Sequence, residues 1–145
     1  MARPKSVAAD VLLVALAALL LANSFADWLG QRAQVGPVEI FEAWSAWHFR
    51  FAAIAIVLGV LAGVAGILRL CGIDVSGRAI LVLGGLSSLL VVFKLITGPH
   101  IDTGGFDVTI HQTREIGIYL GLALTVGIAG IGLLDLINEK KASAP

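Results

Sequence analysis

Charge and sulfur are scarce in this sequence. Of its 145 residues only 14% are Asp, Glu, Lys or Arg, and ten basic side chains balance ten acidic ones. Without a basic excess there is no electrostatic hold on a polyanion, which excludes DNA and RNA as partners. The single cysteine, Cys71, excludes an internal disulfide and any zinc or iron–sulfur site built from several thiolates. Glycine-rich phosphate loops, nucleophile–base–orienter sets and paired carboxylates within an apolar run are missing too, so neither catalysis nor a cofactor is expected. What remains is apolar: 58% of the residues are hydrophobic, and the mean hydropathy of +0.95 is far above that of a water-soluble domain of this size.

The apolar residues fall into four runs. Val11 to Ala22 is unbroken; after Asn23-Ser24 the apolar character resumes at Phe25, Ala26 and Trp28. Phe51 to Leu68 is an uncharged stretch of 18, Ala79 to Phe93 one of 15 that Leu95-Ile96 extend, and Ile116 to Leu134 one of 19. A membrane-crossing helix needs about 17 residues or more, and backbone amides in lipid must be satisfied within the helix. The expectation is an all-α membrane protein, a single bundle of four transmembrane helices over about 7–29, 50–69, 79–97 and 115–135, with outer loops 30–49 and 98–114. A cleaved signal peptide is the competing account of the first run, with Arg3 and Lys5 ahead of it and Ser24-Phe25-Ala26 as a small-x-small site. Asp10 and the apolar character continuing to Leu29 argue against it.

Basic residues set the orientation. With both termini cytoplasmic, the inside carries Arg3, Lys5, Arg69, Arg78, Lys140 and Lys141, and the outside Arg32, Arg50, Lys94 and Arg114. Trp28, Trp44, Trp47 and Tyr119 then fall near the outer interface, where amphipathic rings settle. This implies a multi-pass plasma-membrane protein with N and C termini in the cytoplasm.

Helices in lipid associate where small residues let backbones approach. Gly59 and Gly63, Ala62 and Gly66, Gly84 and Ser88, Gly117 and Gly121, and Ala123 and Gly127 are four apart and are read as bundle seams, within the chain in preference to between copies. Residues 50–67 and 114–131 also align without a gap, matching Arg50 with Arg114 and Gly63 with Gly127, which raises the question of a duplicated hairpin.

Polar side chains gather in the outer loops. The first loop has the turn signal Gly36-Pro37 followed by strand-like alternation; the second holds Phe106-Asp107-Val108-Thr109-Ile110, again of β character. These segments either pair and cover the bundle or lie irregularly at the interface. His100, Asp102, Asp107 and His111 can be written as a metal site, but their spacing matches no metal motif, and a solvated cluster is the preferred account. Lys94 is expected to reach outward along its alkyl stem. Arg50 and Arg114, at the outer starts of two helices, are expected to pair with Glu42, Asp107 or Glu115.

Ala43-Trp44-Ser45-Ala46-Trp47, Phe93-Lys94-Leu95-Ile96-Thr97-Gly98-Pro99 and Arg114-Glu115-Ile116-Gly117-Ile118-Tyr119-Leu120-Gly121-Leu122 resemble a group of small actinobacterial four-helix membrane proteins of unknown function. That resemblance implies a plasma-membrane location and no assigned activity. A looser likeness is to claudin-type proteins, which share four spans, cytoplasmic termini and an aromatic first outer loop. Their cysteine pair is absent here, so no claudin-like function carries over. The reading that results is a scaffold or accessory subunit whose partners are membrane lipid and other membrane proteins or its own copies. A small-solute or ion transporter is the alternative, and a membrane enzyme using the outer histidines a third.

Overall fold

The computed structural model describes residues 6–98 and 109–145. They form four helices and a small sheet in the order α1 (Val7–Asn23), β1 (Asp27–Val35), β2 (Val38–Ser45), a 3-10 turn (Ala46–His48), α2 (Arg50–Leu70), α3 (Gly77–Thr97), β3 (Thr109–Arg114) and α4 (Ile116–Ser143). The helices run up and down as a ring in which α1 packs on α2, α2 on α3, α3 on α4 and α4 back on α1, while the diagonal pair α2 and α4 barely touch. The sheet sits at the end where α1 and α3 finish and α2 and α4 begin. The start of α1, the end of α4 and the α2–α3 turn, with Gly72 at φ +87°, occupy the opposite end.

The first apolar run does not stay helical to Leu29. α1 stops at Asn23 and β1 begins at Asp27. Asn and Ser side chains compete for backbone partners and favour helix ends, and here they do so: the Ser24 hydroxyl donates to Leu21 O at 2.5 Å, and Asn23 Nδ2 donates to Gly117 O at the start of α4 at 2.7 Å. The indole of Trp28 donates back to Asn23 O at 2.9 Å. Trp28 is the extra residue where the β1–β2 register slips between Asp27 and Leu29, and such a bulge re-aims a side chain. The ring goes into the bundle, where Gly117 and Gly121 leave it room.

β1 is the central strand, antiparallel to β2 on one side and β3 on the other. The Gly36-Pro37 signal is the two-residue turn joining β1 to β2, with Gly36 at φ +61°. Of the two alternatives for the outer loops, the described residues form a sheet, but the strands after Pro37 and before α4 do not pair with each other: each pairs with β1, which begins at Asp27 before the end of the first apolar run.

Side-chain size is distributed in an unusual way. On α2 the buried positions are small, Ala52, Ala55, Gly59, Ala62, Gly63, Ala65 and Gly66 with Ile56, while Phe51, Ile54, Val57, Leu61, Val64 and Ile67 point outward. α3 and α4 also expose large side chains, Leu86, Leu89, Phe93, Leu120, Val126 and Leu134, but bury Ile80, Val91, Ile118, Ile128 and Ile131 beside their glycines. α2, α3 and α4 are each long and apolar enough to cross a membrane; α1, at 17 residues, is a shorter apolar helix.

Candidate functional site

The glycines singled out as seams face other elements of the same chain. A Cβ on Gly59 would strike Leu20, one on Gly63 would strike Ala17, and one on Gly66 would press on Leu13 and Val14, so these three hold α1 against α2. A Cβ on Gly84 would come within 2.6 Å of Ala129 N on α4, Gly117 and Gly121 receive Trp28, and Gly127 faces Leu16 of α1. Ser88 donates to Gly84 O one turn back. Inside the bundle the polar groups are likewise tied to carbonyls: Ser87, fully buried, donates to Ala55 O of α2 at 2.6 Å, and Thr125 to Leu122 O at 2.9 Å.

Charge concentrates at the two ends. At the turn end, Arg69 Nη1 contacts Asp10 Oδ1 at 3.3 Å and Asp135 Oδ2 at 2.5 Å, and Nε donates to Val75 O at 2.8 Å. One guanidinium thus joins α1, α4 and the α2–α3 turn, with only 9% of its side chain exposed and 5% of that of Asp10. Sequence reasoning counted Arg69 as an orientation signal, Asp10 as an oddity and Asp135 as a boundary, and missed the trio. A signal was present, because a charge inside an apolar run demands a partner and these three lie at one end of their helices.

At the sheet end, Lys94 does not reach outward. It is buried, donates to Gly98 O at 2.7 Å and lies 4.4 Å from the centre of the Phe49 ring. Gly98 N–H donates in return to Lys94 O at 2.9 Å. Among the described residues Arg114 faces carbonyls, donating to Leu95 O at 2.6 Å and Ile96 O at 3.3 Å. Two cations therefore close the C-terminus of α3, where unpaired carbonyls and the helix dipole favour positive charge. Glu115 accepts from the Thr113 hydroxyl at 2.8 Å. Glu42 and Arg50 are exposed, and among the described residues neither forms an ion pair; the pair found in the sheet is Arg32 with Glu39 at 3.5 Å, both open to solvent.

His100, Asp102 and Asp107 lie outside the described residues. His111 is exposed on β3, opposite Arg32 in register. Among the described residues no three His, Cys, Asp or Glu side chains converge as a metal site would require. Aromatic groups collect where sheet meets helices: Trp44 stacks on His48 at 5.4 Å and meets Phe49 edge-on, and Phe25 packs near Trp47, whose indole donates to the Ser24 hydroxyl.

The arrangement defines a mostly helical protein with three long apolar helices, closed at one end by a three-stranded sheet and at the other by a shared arginine. No protein-family model matches the chain, and no curated protein does either.

Proposed function

We propose that this protein is an integral membrane protein that crosses the plasma membrane four times, with both termini and the α2–α3 turn in the cytoplasm and the sheet outside, and that it serves as a non-enzymatic scaffold or accessory subunit. The observation that carries this reading is the outward side of the helices: α2, α3 and α4 expose Leu, Ile, Val and Phe side chains, while α2 buries mainly Gly and Ala. In water such a surface is an aggregation liability; in lipid it is solvated, and the small residues provide the close backbone approach that drives helix association there. The six-to-four balance of basic residues supports the orientation. The membership of the small actinobacterial four-helix group implied by the outer motifs is part of the same proposal.

A scaffold needs surface, and the seam glycines are taken up by contacts within the chain. The contacts with partners therefore fall to the outer sheet and the lipid-facing helix sides. Purification in mild detergent with native pull-down tests this: the reading requires self-association or a stoichiometric membrane partner, and a strictly monomeric protein recovered alone removes it. A transporter of small solutes or ions is the second reading, favoured by the Arg69 network, a buried charge cluster at one helix end. Flux into proteoliposomes above that of empty vesicles, abolished in Asp10→Asn, would replace the scaffold reading with this one.

A further inference from the structure

The β1–β2 hairpin has two unlike faces, because residues opposite each other in register share a face and successive residues alternate. Leu29, Gln31, Ala33 and Val35 of β1 share one face with Trp44, Glu42, Ile40 and Val38 of β2. Gly30, Arg32 and Gln34 share the other with Ala43, Phe41 and Glu39, joined by His111 of β3.

The first face is the one turned toward the helices. At the base of the hairpin Leu29 is fully buried, Trp44 packs on His48 and Phe49 at the start of α2, and Arg114, opposite Leu29, reaches the last carbonyls of α3. One row further out, Gln112 lies close to Gly98 at the end of the same helix. Beyond this row the hairpin continues past the helices. Ala33 is half-buried, and Val35, Val38 and Ile40 are about half exposed, at 53%, 56% and 49%. The opposite face of the same stretch carries Arg32, Gln34, Glu39 and His111, with Arg32 over the Phe41 ring at 5.5 Å.

We infer that the overhanging hairpin lies on the outer leaflet, its Ala33, Val35, Val38 and Ile40 face seated at the boundary of headgroups and acyl chains and its Arg32, Gln34, Glu39 face in water. This rests on the proposed membrane crossing, since only then do the helix ends mark the level of the lipid surface. An amphipathic element that binds an interface has this division of faces. The exposed Phe25 and Trp47 at the foot of the hairpin supply rings at that level. Glu42, on the same face in the row of Gln31 where the overhang begins, limits the depth to headgroups.

The test uses single cysteines in a Cys71→Ser background, at Val38 and Ile40 on one face, Gln34 and Glu39 on the other, and Leu61 on the outward side of α2. Each is labelled with bimane in phosphatidylcholine vesicles, with quenching by lipids carrying a shallow doxyl group compared with quenching by aqueous iodide. The labels at positions 38 and 40 should lose intensity to doxyl lipid and resist iodide, and those at 34 and 39 the reverse. Equal iodide quenching on both faces overturns the inference while leaving the membrane reading intact, provided the label at 61 is quenched by lipid. Shielding at 38 and 40 from both quenchers also overturns it, since protein then covers the face. A label at 61 untouched by lipid quenchers removes the membrane reading, and this inference with it.

Discussion

Arg69 holds two carboxylates that would otherwise be stranded, one of them almost wholly buried. Removing one member of a buried ionic network leaves charge without compensation and typically costs about 3–5 kcal/mol. Arg69→Met, which keeps most of the volume, should destabilise the bundle by that order in denaturant titrations of the detergent-solubilised protein. Asp10→Asn should cost less, because Arg69 retains Asp135. Glycines divide by the same local logic. Gly63 abuts Ala17, whereas a Cβ on Gly130 meets nothing. Gly63→Leu forces α1 and α2 apart and should destabilise by about 1–3 kcal/mol or more, while Gly130→Ala should be neutral or gain up to about 1 kcal/mol. Melting temperatures of the pair check this directly. Lys94 shows what a residue's type leaves open: an ammonium near a helix end can extend toward water or turn back onto its own carbonyls, and Phe49 together with Gly98 decides for the second.

Between elements, Trp28 is the junction of sheet and bundle. It fills the space above Gly117 and Gly121 and bonds the last residue of α1. Trp28→Ala should open a cavity costing about 3–5 kcal/mol, and it should loosen the sheet before the helices. The expected signature is loss of near-ultraviolet circular dichroism with far-ultraviolet helicity retained. The bond from Ser87 to Ala55 O joins α3 to α2, and Ser87→Ala should lose only about 0.6 kcal/mol, the average for such bonds between helices in lipid. Three of the four helices could be placed from uncharged runs bounded by charge, because in a long apolar segment nothing competes with the helix for backbone hydrogen bonds. The end of α1 was not legible in that way. Phe25, Ala26, Trp28 and Leu29 are as apolar as the run before them, and only the pairing of β1 with β2 and β3, together with the slot in α4, makes a strand and a buried ring more favourable there than another turn of helix.

For the molecule as a whole, the lengths of α2, α3 and α4 support the proposed placement, α1 being shorter at 17 residues. At about 1.5 Å per residue, α2 and α3 are each about 31 Å long, matched to a hydrocarbon layer of about 30 Å, and α4 continues through Glu139, Lys140 and Lys141 beyond it. Cys71, the single thiol, is exposed in the α2–α3 turn. In the proposed orientation a membrane-impermeant maleimide should leave it unlabelled in intact cells and label it in inverted vesicles; labelling from outside would reverse the topology. Composition and the spacing of charges already determined an apolar helical chain with four segments, since helix formation in such runs depends on neighbours in sequence. Which carbonyls Arg114 would choose, 18 and 19 positions away, which carboxylates Arg69 would gather, 59 and 66 away, and that Trp28 would enter the slot at Gly117 and Gly121 depend on groups that meet only after the helices pack. Those choices belonged to the tertiary structure, because a charge or a ring in an apolar chain takes the partner that packing brings within reach.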